Sequence, residues 1–294
     1  MITQATEKPS ATSLVMTQSS AWAKWPALVF AIGVLVLYFP TLVDAAHQWM
    51  INDNYAHGIF IFPLCGFLIW LRRDDLRLAE RRPTAWGLIP LIIGLLLQCG
   101  SYTLQIKYVG MWSLFLTVTG GILILYGLEV WRIARFAVLF SLLANPLPHS
   151  LLNNMTIWIQ GASTSGAATL MSLLGFTLIR TGNVIHVPGA DLEVAQACSG
   201  FHKFLSLTAF TLLYSYLFTT RKRVRIIILL AVLPIALLVN ILRISGLIAF
   251  ASLGGLNAMH AAHDGAEYCA IILAFGLLVL LGRSLGCRTI RFSL

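Results

Sequence analysis

The stretch RIIILLAVLPIALLVNILRISGLIAF, residues 225–250, begins with Arg225 and contains one further charged residue, Arg243. A helix needs about 20 apolar residues to cross a hydrocarbon core about 30 Å thick, so this stretch is long enough to span a bilayer. Seven further apolar runs lie near residues 26–43, 57–71, 85–103, 108–128, 133–148, 198–219 and 265–282. The sequence therefore predicts an all-α polytopic membrane protein with about eight transmembrane helices.

The composition of the whole chain agrees with this interpretation. Of its 294 residues, 58% are hydrophobic and only 11% are charged, whereas soluble domains are about 25% charged. The cysteines, at positions 65, 99, 198, 269 and 287, form no CxxC pair, so neither a disulfide framework nor a zinc site is expected. We predict no cofactor and no bound metal. The net charge of +9 is attributed to membrane topology and not to nucleic-acid binding.

The basic residues are distributed unevenly between the apolar runs. Sixteen of the 20 lysines and arginines lie before the first run or after the second, fourth, sixth and eighth runs. Cytoplasmic loops carry an excess of Lys and Arg, so both termini are predicted to be cytoplasmic, in the inner membrane of a bacterium. Residues 1–20 lack the apolar core of a signal peptide. They are predicted to form a disordered cytoplasmic tail, followed by a single integral membrane domain, residues 21–294.

The opposite, periplasmic loops contain most of the acidic and histidine side chains, and the longest of them covers about residues 149–197. Its first part, 149–176, mixes apolar with small residues, which suits helices that lie in the membrane interface or pack closely against a neighbour. Its second part, GNVIHVPGADLEV (182–194), predicts an outward-facing β-hairpin with Pro188 and Gly189 at the turn. We expect this hairpin to cover the outer mouth of the helix bundle.

Cys198 directly follows this segment and opens the sixth apolar run. In the first turn of a helix, free N–H groups and the positive end of the helix dipole favour the nucleophilic thiolate over the thiol. The alternative interpretation is a small buried residue, which is how we interpret the other four cysteines. Cys198 is therefore a candidate nucleophile at the outer membrane boundary.

Arg243 lies inside an apolar helix, where an arginine costs about 2.5 to 3.5 kcal/mol unless it has a partner or a polar cavity. It follows Arg225 by 18 residues, or about 27 Å along a helix that rises about 1.5 Å per residue. This places it near the outer boundary, level with Cys198. Asn240, three residues earlier on the same face, could orient it or supply another donor. The alternative is an arginine that snorkels at a helix end.

His263 lies two residues before the last apolar run and is predicted at the same boundary. A thiolate, an imidazole that moves protons and a fixed cation that stabilises an oxyanion together suit acyl transfer by cysteine. A guanidinium stays protonated, so the proton transfer is assigned to the imidazole. Asp264 or Glu267 could fix the tautomer of that ring.

Two other histidines remain candidates for the base. His202 follows Cys198 by four residues and would share its helix face, one turn deeper. His260 lies in the same loop as His263. We favour His263 because of its acidic neighbours.

Three motifs in this order resemble the exosortase/archaeosortase family: ACSGF (197–201), NILRI (240–244) and HDGAEYCAIILAF (263–275). Further matches are NYAHGIFIFPLCGFLIW (54–70), NPLP (145–148) and GNVIHVPGADLEVAQACSG (182–200). The resemblance extends from about residue 40 onward. It implies a membrane cysteine peptidase or transpeptidase with Cys198, Arg243 and His263 as catalytic residues. Asn240, Ser199, Gly200 and Asp264 would support them. One departure is Phe201-His202-Lys203, where many members have a small aliphatic residue and a polar stretch.

The resemblance also implies the substrate and the partners. Exported proteins would carry a C-terminal sorting signal made of a short motif such as Pro-Glu-Pro, a transmembrane helix and a basic cluster. The enzyme would cleave this signal at the outer face of the inner membrane through a thioester acyl-enzyme. Membrane lipids and a separate accessory protein for sorting or exopolysaccharide production are the other expected partners.

Two alternative functions follow from the same residues. Intramembrane Arg and His often mark transport or binding pathways, so the chain could be a transporter or a protein that binds lipid or anionic headgroups. A serine enzyme that uses Ser199 is the weaker alternative, since no base is better placed for Ser199 than for Cys198.

Overall fold

The computed structural model describes residues 25–188, 190–194, 200–218 and 221–289. Most of these residues are helical. The helices are α1 (Trp25–Ile51), α2 (Gly58–Leu71), α3 (Arg73–Leu78), α4 (Leu88–Leu104), α5 (Lys107–Leu125), α6 (Leu128–Phe140), α7 (His149–Leu173), α8 (Phe201–Phe218) and α9 (Lys222–Ser284). Short 3-10 turns cover Asp53–Tyr55, Ala85–Gly87 and Ser141–Ala144.

Several of the described helices are suited to a membrane. The segments that are long and apolar enough to cross one are Trp25–Ile51, Ala85–Leu104, Lys107–Leu125 and Lys222–Ser284. The broken pair Leu128–Ala144 and His149–Leu173 meets the same criterion when both parts are taken together, and Gly58–Leu71 is apolar but shorter. Each apolar run of the sequence overlaps a described helix, with the last two runs sharing α9. The chain is thus a helical membrane protein, while the count of eight spans and their orientation stay predictions.

The chain folds into two compact units, the first made of residues up to 45 together with 65–142. In this unit α4 and α5 pack closely because small residues line their contact: a Cβ atom at Gly120 would lie 2.6 Å from the Leu91 nitrogen. The Gln98 side chain connects neighbouring helices, since it accepts a hydrogen bond from Ser113 Oγ at 2.8 Å and donates one to Thr41 Oγ1 at 3.0 Å. Buried polar groups with partners are tolerated in an apolar setting.

The second unit, residues 46–64 and 143 onward, contains every described candidate site residue. Its α7 buries one face at four-residue spacing, through Ile159, Ser163 and Ala167. This face packs against α9, where a Cβ atom at Gly166 would lie 2.6 Å from Ile241 Cδ1. The sequence predicts that residues 149–176 pack closely against a neighbour, and the single helix α7 does so. The placement of α7 in the membrane interface stays a prediction.

A small antiparallel sheet with strand order β1-β2-β3 also belongs to this unit, made of β1 (Ile179–Thr181), β2 (Val184–Val187) and β3 (Ala190–Glu193). Strands β2 and β3 lie in the segment for which the sequence predicts a hairpin, and the predicted turn residue Gly189 lies outside the described residues. Strand β1 has only three residues, too few to show an alternating pattern, so the sequence does not predict it. Ile185 and Leu192 pack this sheet against α7 and α9.

The structure of α9 shows that one prediction, the loop around His260 and His263, is wrong. The sequence indicates two spans joined by a loop that holds His260 and His263, but these residues are helical. The break is confined to Gly255, whose φ of 73° is a left-handed value that glycine adopts without steric cost. Alanines at 258, 261 and 262 are strong helix formers, which explains why the helix resumes so soon. Both parts of α9 pack against α8, through Leu207, Ile228, Ala270 and Leu278.

Candidate active site

The predicted nucleophile Cys198 and its neighbour Ser199 lie outside the described residues, and the description resumes at Gly200. Gly200 has φ +83° and lies against Asn240, because a Cβ atom added there would lie 2.8 Å from Asn240 Cγ. Asn240 is fully buried. A glycine is needed here for both reasons, and it brings the chain that immediately follows Cys198 and Ser199 to the helix that carries Arg243.

Arg243 and His263 lie on opposite sides of the break in α9. Twenty residues of uninterrupted helix would separate them by about 30 Å. The Arg243 guanidinium instead donates from Nη2 to His263 Nε2 over 3.4 Å. The change of direction at Gly255 is therefore what brings two of the three predicted catalytic side chains into contact.

Glu267 is the residue that holds this cluster together. Its Oε2 atom lies 2.5 Å from Arg243 Nη2, and its Oε1 atom lies 2.8 Å from Lys203 Nζ and 3.1 Å from His202 Nε2. The carboxylate thus joins the second part of α9 to its first part and to the start of α8. From the sequence, Glu267 is considered only as a residue that could orient His263, and its larger role is not predicted.

Two signals in the sequence could have identified this role. Lys203 and Arg243 are charged residues in apolar runs, and buried charges are normally paired. Glu267 is the one acidic residue inside the last apolar run, 265–282, and lies one turn after His263. In the structure both cations contact this one carboxylate: their side chains are only 4% and 1% exposed, and that of Glu267 is 24% exposed.

The two ring nitrogens of His263 face different partners. A guanidinium only donates hydrogen bonds, so in a neutral ring Nε2 is the atom that can accept from Arg243. The other nitrogen, Nδ1, lies 3.3 Å from Asp264 Oδ1, and a role of Asp264 in fixing the tautomer stays a prediction. The Asp264 side chain is 94% exposed, and exposed pairs of this kind contribute little to stability.

The two alternative bases have different surroundings. His202 Nε2 faces Glu267, so in this arrangement it contributes to the pairing network of the carboxylate. His260 lines a cavity that His263 also lines, and among the described contacts none joins His260 to Arg243. Among the described contacts, His263 is the histidine that lies against Arg243.

Arg243 retains hydrogen-bonding capacity inside the site. Its Nε and Nη1 atoms are buried, and within the described part of the chain neither has a hydrogen-bond partner. Leaving charged donors buried and unsatisfied is costly, so such donors are a usual sign of a position where an anion binds or forms.

Within the described residues, no three His, Cys, Asp or Glu side chains are grouped in a way that could hold a metal ion. The family model for transmembrane exosortases matches residues 49–280, a range that includes Cys198, Arg243 and His263. A search of curated proteins and a search of solved structures each found no match.

Proposed function

The chain belongs to the transmembrane exosortase family, and from this premise we propose that it is a cysteine peptidase or transpeptidase that cleaves a C-terminal sorting signal of exported proteins. The reaction takes place at the outer face of the bacterial inner membrane. The observation that carries the proposal is the buried Arg243 guanidinium, which contacts His263 and has two N–H groups with no hydrogen-bond partner among the described residues.

In the first step, His263 removes the proton of the Cys198 thiol, and the sulfur attacks the scissile carbonyl carbon. A C–S bond forms while the carbonyl π electrons move to the oxygen. Arg243 donates to this oxyanion from one of its two N–H groups that have no partner among the described residues, the type of stabilisation that is usually the largest single contribution to acyl transfer. Asn240 adds a donor in the same region, and Asp264 offsets the charge of the imidazolium.

In the second step, the tetrahedral intermediate collapses and the C–N bond breaks. The imidazolium gives its proton to the leaving amine, which departs with the transmembrane anchor. The remaining acyl group is bound to Cys198 as a thioester. An amine or hydroxyl acceptor, or water, then attacks the thioester and releases the thiol.

The substrate proposed from the family is an exported protein whose tail combines a motif such as Pro-Glu-Pro, an apolar helix and a basic cluster. The helix of the substrate would dock beside α8 and α9 and bring the peptide at its outer end to Cys198. A matching basic cluster on the cytoplasmic side agrees with the topology predicted for the chain.

A direct test uses a reporter, defined as a secreted tagged domain followed by Pro-Glu-Pro, an apolar helix of about 20 residues and an arginine cluster. The chain and the reporter are co-expressed, and the fraction of cleaved reporter is measured. Cys198→Ala should abolish cleavage. The matched control is Cys269→Ala, which removes an exposed free cysteine of α9 and should leave cleavage intact. Undiminished cleavage by Cys198→Ala would remove the thiol from the mechanism.

One observation favours a second candidate, a protein that binds anionic headgroups without catalysis. The Arg243 donors that have no partner among the described residues also fit a phosphate group. A thiol reagent applied from outside distinguishes the two functions. The enzyme predicts rapid, pH-dependent labelling of Cys198, whereas a binding protein predicts a thiol no more reactive than that of a simple peptide.

A further inference from the structure

A cavity of about 340 Å³ lies between β3 and the two parts of α9. One wall consists of residues 191–194, and the opposite wall includes Ile244, Ile248, Leu256 and His260. His263 lines the same cavity. The volume falls at the lower end of the range typical of ligand sites, about 300 to 1,000 Å³.

The wall formed by residues 191–194 exposes the edge of β3 to the cavity. Successive side chains of a strand point to opposite faces of its sheet. Four consecutive residues can therefore line one cavity only if that cavity runs along the edge of the strand, where the main chain is accessible. Leu192 is buried in the sheet packing, while Asp191 and Glu193 are exposed.

The register of the sheet shows which main-chain groups face this edge. Val194 N–H donates to the Asn183 carbonyl at 3.0 Å, and hydrogen-bonded pairs alternate along an antiparallel ladder. Leu192 therefore bonds to its partner Ile185 on β2. Asp191 and Glu193 direct their N–H and C=O groups away from β2, and no main-chain partner outside the ladder occurs for them among the described residues.

We propose that this edge of β3 binds an extended peptide by strand addition, and that the peptide is the substrate segment next to the scissile bond. The inference rests on the proposed function and assigns it a substrate-binding surface. The reason for choosing a peptide is the pattern of free main-chain groups, which another extended main chain satisfies and a lipid acyl chain does not.

The position of β3 relative to the proposed catalytic residues also supports the substrate peptide as the occupant of this edge. His263 lines the cavity, so a peptide on β3 lies beside the proposed base. Glu193 precedes Cys198 by only five residues in the sequence, so the strand and the proposed nucleophile are close along the chain. Alternate side chains of the peptide would face Ile244, Ile248 and Leu256, which predicts a preference for small or apolar residues at those positions.

The experiment uses the full-length chain in membranes, with Cys198→Ala present so that the reporter defined above stays intact. A photo-crosslinking amino acid replaces Leu256, which lines the cavity, or Leu253, which is 82% exposed and does not. The proposal expects a reporter adduct from position 256 and none from 253. The adduct formed at position 256 should fall about tenfold in Glu193→Pro, because proline removes one outward N–H group and its ring obstructs the edge.

Two substitutions separate this effect from general damage to the sheet. Arg180→Pro removes an outward N–H group from the opposite edge, on β1, and should change the adduct less than twofold. Glu193→Ala keeps the main-chain donor and should lose much less adduct than Glu193→Pro. Equal adducts from positions 253 and 256, or equal losses in Glu193→Pro and Arg180→Pro, would overturn the proposal.

The identity of the adduct separates this inference from the proposed function. If position 256 captures only lipid or a second copy of the chain while the unmodified protein still cleaves the reporter, the peptide site is wrong and the enzymatic function stands. If position 256 captures the reporter but the unmodified protein does not cleave it, the peptide site stands and the enzymatic function fails. If neither occurs, both are rejected.

Discussion

The Glu267 carboxylate lies 2.5 Å from the Arg243 guanidinium, although 24 residues separate them along the chain. The two side chains meet because α9 changes direction at Gly255. The same carboxylate pairs with Lys203 of α8. Glu267 therefore fixes the group proposed to stabilise the oxyanion, and it does so without being one of the proposed catalytic residues.

Glu267→Gln should lower reporter cleavage at least about tenfold. The amide keeps the shape of the side chain but removes the negative charge that Arg243 and Lys203 both contact, and breaking a buried pair costs about 3 to 5 kcal/mol. Initial rates in membranes that contain equal amounts of each chain provide the measurement. Asp44→Asn is the control, since it removes one carboxylate from an exposed pair with Lys107 and should have little effect.

The rate should depend on the position of the Glu267 charge as well as on its presence. Glu267→Asp restores the charge but retracts it by one methylene, so it should recover part of the activity that Glu267→Gln loses. A residue that only stabilises the fold would show rates that follow the amount of folded chain in all three proteins. That result would count against a positioning role.

Lys203→Met should reduce activity less than Glu267→Gln does. Methionine fills a similar volume, and after the change the Glu267 carboxylate still has Arg243 at 2.5 Å. The ion pair that holds the proposed oxyanion donor is thus retained. Reporter cleavage and thermal stability of the purified chain can be compared for the two variants. A larger loss in Lys203→Met would mean that Lys203 acts directly on the substrate.

Gly200→Ala should destabilise the start of α8 by about 1 to 3 kcal/mol, the usual range for a residue held in an unfavourable backbone conformation. Its φ of +83° disfavours any side chain, and the new methyl group would collide with Asn240. Gly265→Ala is a suitable control because open space surrounds that position in a helix. Equal melting temperatures for the two variants would show that the chain tolerates a side chain at position 200.

The stability of the second unit should decrease in acid because of His57, which lies in the turn before α2. Its Nε2–H donates to the Leu143 carbonyl at 3.1 Å, and burial lowers the pKa of His57 below its ordinary value. The unfolded chain therefore binds a proton more readily, so this stabilisation is complete above about pH 6.5 and is lost as the pH falls through the lowered pKa. His57→Gln should flatten the dependence, whereas the exposed His149→Gln should retain it.

The sequence predicts the helices of this protein well because each apolar run is long enough to form a buried or membrane-spanning helix, whereas the orientation derived from the basic clusters stays a prediction. It also predicts that Arg243 and His263 lie together, since a buried arginine needs a partner and His263 is expected at the same depth. It misses the role of Glu267, which depends on how sharply the chain turns at Gly255. The sequence also predicts a loop around His260, but alanines on both sides of this residue favour the helix that resumes after Gly255.

The sequence patterns also do not predict strand β1 or the open edge of β3. Three residues are too few to establish a strand by alternation, and the direction of main-chain hydrogen bonds depends on register, which side-chain types determine only indirectly. The predicted nucleophile Cys198 and its neighbour Ser199 lie outside the described residues. Their participation consequently remains a prediction from the sequence and the family.

The most direct measurement of the central claim is the mass of the Cys198 peptide, isolated from the active chain after rapid acid quenching during reporter cleavage. The account predicts that Cys198 carries the new carboxyl end of the reporter as a thioester, which hydroxylamine removes. It also predicts that His263→Ala lowers the rate at which this adduct forms. Cleavage that proceeds with Cys198 unmodified, and with the acyl group found on another residue or on none, would contradict it.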